Sequence, residues 1–212
     1  MRFVAFGCSH TWGRGILLED IGDTLPSSAS WVQVLSRKFN IPVLNLSTVG
    51  GSNLLILHAI RNHPWQVGDI ALVQWTYFKR STIFDNETIF RHVLSGNIDN
   101  KDKEYIKQFY MLYPDYHIEY MNLQHIEHAY LYLAAHNIPK VARFAYNDTF
   151  VHLAGFNNNM LADYQTLSIE YIAESLEQAS GMIMRGADKM HFNAQVHEVF
   201  AEEYVSEIND LL

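Results

Sequence analysis

The chain has 212 residues, enough for one domain with a sizeable core, and its 49% hydrophobic and 18% charged content is globular rather than disordered. A net charge of −8, with no basic run, argues against a phosphate-backbone binder, so no nucleic-acid partner is expected. The single cysteine, Cys8, rules out an intramolecular disulfide.

The N-terminal apolar run is about five residues, too short for a signal-peptide core. No stretch approaches the roughly 20 apolar residues of a membrane span. The expectation is a cytoplasmic protein without a membrane partner. No repeat or linker marks a boundary, so residues 1–212 read as a single domain.

Phe3 to Phe6 is a short apolar run ended by Gly7, and reads as a buried strand. A turn-rich stretch, Cys8-Ser-His-Thr-Trp-Gly-Arg-Gly15, follows, and residues 16–27 read as a loop. Ser30 is placed to cap a helix over Trp31 to Phe39. Pro42 to Leu46 reads as a second strand, and Ser52 as the cap of a helix over Leu54 to Arg61. Ile70 to Trp75 is a third strand.

Residues 80–120 have mixed periodicity and are expected to form short helices over the core. A family-variable insertion is placed at about 80–121. Asn122 to His136 has helical spacing, Pro139 breaks it, and Lys140 to Ala145 reads as a fourth strand. Asp163 to Gln178 and Asn193 to Leu212 complete the helices. Strands alternating with helices imply an α/β fold, a mostly parallel sheet between helical layers. In such sheets the site lies at the carboxyl ends of the strands, so the turns after Phe6, Leu46 and Trp75 should converge.

Ser9 lies in the first of those turns. A serine hydroxyl becomes a nucleophile only with a neighbouring base and donors for the oxyanion. On the turn alone, Ser9 reads more readily as a cap. Near the C-terminus, Asp188-Lys-Met-His191 places an acid three residues before a histidine, just ahead of a helix. Such an acid can accept the imidazole Nδ1–H and leave Nε2 to take a serine proton, although Asp-x-x-His is a weak motif by itself.

Gly7-Cys-Ser9 after strand one, Gly50 after strand two and Asp188-Lys-Met-His191 before the last helix stand in the order found in the SGNH (GDSL-like) hydrolases, which this chain resembles. Phe192 and Val196 replace the Pro and Gly usual in that family's ending. The resemblance implies a three-layer, flavodoxin-like fold and an ester hydrolase with no cofactor and no metal. By position, Ser9 would be the nucleophile, His191 the base and Asp188 its orienting acid. The oxyanion would be held by the Ser9 N–H, a Gly N–H from Gly50 (or adjacent Gly51) and an Asn side chain.

The third block departs from the family. Where Gly-x-Asn-Asp is usual, this chain has Trp75-Thr-Tyr-Phe-Lys-Arg80. Thr76 or Asn53 would have to substitute for the missing Asn, with Arg80 offering charge. By analogy the substrate is a carbohydrate O-acetyl or short-chain ester. An acyltransferase using the same residues, or a non-catalytic binding relative, are the alternatives.

His10 follows Ser9 and reads either as a packed turn residue or as a pocket residue. His117, His125 and His128 lack the partners of a familiar zinc set. Cys8 should point into the core, opposite Ser9. Trp12, Trp75, Tyr77, Phe78 and Phe84 read either as pocket lining or as ordinary packing.

Overall fold

The structure is a computed structural model and describes residues 1–17, 24–78, 80–84, 90–93, 108, 111–145 and 168–212. Its strands are β1 (Arg2–Phe6), β2 (Val43–Asn45), β3 (Asp69–Trp75), β4 (Ser81–Phe84), β5 (Phe90–Val93) and β6 (Lys140–Phe144). Its helices, numbered here in chain order, are α1 (Ser9–Trp12), α2 (Trp31–Phe39), α3 (Asn53–Asn62), α4 (Asp115–Ala135), α5 (Ile169–Ser180) and α6 (Ala194–Leu211).

The main sheet has the order β2-β1-β3-β6 and every pairing in it is parallel. Parallel strands need both faces covered, and β3 is buried along its whole length. Alternate residues of the strands feed two separate cores. Phe3, Ala5, Ile70, Leu72 and Val141 face α2, α5 and α6, where Trp31, Ile172 and Phe200 meet them. Val4, Phe6, Ala71, Val73 and Phe144 face α3 and α4, where Ile60, Ile126 and Leu133 meet them. Each large apolar side chain so buried contributes about 1.5–3 kcal/mol.

The chain leaves β1 toward β2 on one side, then crosses back to β3 on the other. Crossovers that diverge from neighbouring strands open a crevice at the carboxyl ends of those strands. Ser9 lies there, at the end of β1.

Three expectations are corrected. Residues 81–93 do not begin as helices: β4 and β5 pair antiparallel, Ser81 opposite Val93 and Phe84 opposite Phe90, in a second two-stranded sheet. The run Ser-Thr-Ile-Phe is β-branched and aromatic, which favours a strand, and Ser52 Oγ donates to Thr82 Oγ1 at 2.7 Å, tying β4 to the start of α3. Helix α4 starts seven residues before Asn122, at Asp115 behind Pro114. Ser30 holds the N-cap position of α2, but its hydroxyl makes no cap bond. Instead His197 Nδ1, reaching across from α6, accepts the Trp31 amide at 3.2 Å.

Ser52 does cap α3, accepting from the Leu55 amide, and Asn193 caps α6 through Val196. The fourth strand and the fifth helix lie where expected, the helix over 169–180. Residues 163–167 fall outside the described residues.

Candidate active site

Gly7 makes the turn that presents Ser9. A Cβ there would stand 2.0 Å from Thr11 Oγ1, so only glycine lets the one-turn helix α1 fold back on the strand end. Thr11 Oγ1 then donates to Gln74 Oε1 on β3 at 2.7 Å, pinning the turn to the sheet. Cys8 is fully buried in the core shared by α2, α5 and α6, as its alternation with Ser9 implied.

The C-terminal loop is built on one carboxylate. Asp188 Oδ1 accepts the amides of Met190 and His191, each at 2.9 Å, which closes the turn. Asp188 Oδ2 is left to hold His191 Nδ1 at 2.6 Å. Lys189 takes a left-handed conformation, φ +60°, to allow this. Burial raises the Asp188 pKa, but the amide and ring of His191 and the amide of Met190 outweigh it, and the carboxyl sits below its ordinary range. The acid is therefore charged and orients the ring, while His191 Nε2 makes no hydrogen bond among the described residues.

Two glycines clamp this loop to the one that follows Ser9. A Cβ at Gly15 would stand 2.1 Å from Asp188 Oδ2, and one at Gly186 would stand 2.4 Å from the Gly15 carbonyl oxygen. The Ala187 and Asp188 amides donate to the carbonyls of Ile16 and Gly15. The Ser9 turn and the Asp188–His191 loop thus share a backbone interface. Sequence reasoning missed Gly15 and Gly186; the Gly13-Arg14-Gly15 spacing was the available signal.

His10 is buried at that interface. Its ring meets His191 edge-on at 5.3 Å between centroids and stacks on Phe192 at 5.0 Å. Burial first, then the charges of His191, His197, Arg80 and Arg185, hold its pKa well below the ordinary range. His10, the chain neighbour of Ser9, thus packs against His191, and no hydrogen bond between Ser9 Oγ and His191 Nε2 is formed. Such bonds are often long in unliganded enzymes and tighten with substrate.

On the opposite side, Thr48 donates to the Gly7 carbonyl, so the loop after β2 lies on the Ser9 turn. The Gly51 amide is engaged by the Thr48 carbonyl at 2.8 Å. The Gly50 amide makes no hydrogen bond among the described residues, and Gly50 has φ +76°. Asn53 is turned inward: its Oδ1 accepts the Thr76 amide at 2.8 Å and its Nδ2 donates to the Thr76 carbonyl at 3.2 Å. It clasps the end of β3. Arg80 Nη1 donates to Thr76 Oγ1 at 2.9 Å and to the Gly51 carbonyl at 3.3 Å. Thr76 keeps its own hydroxyl proton to donate.

Trp75 and Phe78 pack in the core, Trp75 donating to Tyr130 and Phe78 stacking on Phe144. Tyr77 lies under the Arg80 guanidinium. The Phe84 side chain lies outside the described residues. Clefts of about 420 Å³ between α3 and α4 and about 440 Å³ at the amino end of β3 contain neither Ser9 nor His191. Among the described residues no group of three His, Cys, Asp or Glu side chains converges to hold a metal. None of their helices is long and apolar enough to cross a membrane.

No protein-family model and no curated protein matches the chain. Solved structures do. TesA is 14% identical over the whole of both chains, with a TM-score of 0.56. Lip_vut3, a lipase from a goat rumen metagenome, is 13% identical over 97% of this chain and 96% of its own, at 0.54. Est2A, an acetyl xylan esterase from the rumen bacterium Butyrivibrio proteoclasticus, is 14% identical over 99% of this chain but 64% of its own, at 0.50. The chain has the fold of the SGNH hydrolases.

Proposed function

We propose that the chain is an ester hydrolase in which Ser9 is the nucleophile, His191 the general base and Asp188 the acid that fixes the ring. The observation that carries this is the Asp188–His191 pair, with one ring nitrogen held at 2.6 Å and the other unengaged beside the Ser9 turn. Ser9 Oγ attacks the carbonyl carbon as its proton passes to His191 Nε2. The tetrahedral intermediate collapses when the alcohol leaves with that proton. Water then repeats the sequence on the acyl-enzyme and frees the acid.

The oxyanion is held by the amides of Ser9 and Gly50, with the Thr76 hydroxyl as third donor. That hydroxyl is polarised by the Arg80 bond it accepts. Support for Gly50 and Thr76 over Gly51 and Asn53 comes from the bonds that Gly51 makes to Thr48 and Asn53 to Thr76. Support for a carboxylic ester, including a carbohydrate O-acetyl or short-chain acyl group, comes from the lipase and the acetyl xylan esterase whose folds this chain shares. An acid and base aligned by three hydrogen bonds count against a scaffold kept only for binding.

The test is turnover of p-nitrophenyl acetate by the wild type, Ser9→Ala and His191→Ala. Each substitution should lower kcat by about 10³-fold or more. Turnover unchanged in either variant contradicts the assignment.

A further inference from the structure

The chain is acidic, with 15 Lys and Arg against 23 Asp and Glu. Its described strand-end loops are the reverse. Arg14, Arg80, Arg185 and Lys189 stand there against one acid, Asp188, which is already spent on His191. Arg80 is half-buried, and its bonds are to a hydroxyl and a carbonyl; among the described residues no carboxylate pairs with it. Arg2 and Arg143, the other arginines with buried contacts, each hold one, Asp69 and Glu207.

An uncompensated guanidinium out of bulk water is unfavourable unless a counter-charge arrives. Arg185 stands near the same imidazole, His10, on which the Arg80 charge also acts. Its guanidinium lies 4.8 Å from the Phe192 ring centre, and Phe192 stacks on the imidazole beside His191.

We infer that the substrate is an anionic ester, one carrying a carboxylate or phosphate away from the scissile bond, received between Arg80 and Arg185. Planar guanidinium groups bind such groups through paired N–H donors. This rests on the Ser9 reading above.

The experiment measures kcat/KM for two matched pairs. One is the nitrophenyl monoester of glutaric acid against its methyl-ketone isostere, with charge on the acyl side. The other is acetoxybenzoate against acetoxybenzamide, with charge on the alcohol side. In at least one pair the anionic member should be faster by about tenfold, and added salt should shrink the ratio. Arg185→Gln should cut that ratio without slowing the neutral ester, and Arg185→Lys should restore part of it. A ratio at or below one in both pairs, or one that Arg185→Gln leaves unchanged, overturns the inference. Ser9→Ala separates the two levels: it should abolish turnover of all four esters, and retained turnover overturns the reading beneath.

Discussion

Asp188 does two jobs with two oxygens, and that division governs what its replacement does. Asp188→Asn keeps an oxygen for the Met190 and His191 amides, so the turn persists. It presents an amide where the ring needs an acceptor, and favours the wrong tautomer. The expected result is a fall in kcat of about 10⁴-fold with little change in melting temperature. A variant that lost stability and activity together would make Asp188 structural. In the proposed site Arg80 meets the substrate's anion and also acts on the oxyanion through Thr76. Arg80→Gln should lower kcat by about tenfold on a neutral ester while KM changes less, since a donor strengthened toward the oxyanion serves the transition state. Arg80→Lys should recover only part of that, because the shorter side chain must bring its ammonium to the point where Nη1 now meets both Thr76 and Gly51.

Among the elements, the clamp between the loop after α1 and the Asp188–His191 loop governs how the proposed triad is held together. Gly15→Ala puts a methyl group into the Asp188 carboxylate and onto a backbone with φ +69°. The expected loss in kcat is about 10²-fold, with the melting temperature lowered, because displacement near 1 Å costs that much at a reacting centre. Wild-type activity in Gly15→Ala would show that the two loops are not coupled.

The same scale shows what the sequence made legible. Strands β1, β2, β3 and β6 announce themselves as short apolar runs, and Ser52 and Asn193 as caps, because these signals are local. Helix α4 was read seven residues short. Tyr116 and Tyr120 on its first turns are exposed aromatics, which blur the apolar stripe that Ile118 and Leu123 would otherwise define. The β4–β5 pair was missed because four-residue strands carry too short an alternation to stand out from the mixed periodicity around them, and the bond to Ser52 joins residues distant in the chain. For the candidate site, Ser9, Asp188 and His191 were readable as motif blocks. The bond of the Gly51 amide to Thr48 and the inward turn of Asn53 onto Thr76 are set by tertiary contacts, which no spacing reveals.

At the level of the whole molecule, buried histidines set the response to acid. Burial, aided by the nearby His191 charge, lowers His197 to about 3, and burial with the His128 charge lowers His125 to about 4. His10 is lowered in the same direction. Each is neutral when folded but protonates in the unfolded chain near its ordinary value of 6.5. The unfolded state therefore binds more protons below that pH, and stability falls as pH drops from about 6.5 toward 3. Asp188 adds to this lower down, since its depressed pKa gives stability that is lost as pH falls through the folded value. Melting temperature against pH should decline over that window. His197→Asn, which keeps an acceptor for the Trp31 amide, should flatten the slope; an unchanged slope would mean that His197 is not the group being titrated.

An activated serine at position 9 underlies every catalytic step proposed for this chain. Labelling with a fluorophosphonate, followed by peptide mass analysis, tests it without knowledge of the substrate. The predicted result is a single adduct on Ser9, fast in the wild type and lost or strongly slowed in His191→Ala. No adduct on Ser9 in folded wild-type protein, or labelling at the same rate without His191, would contradict it.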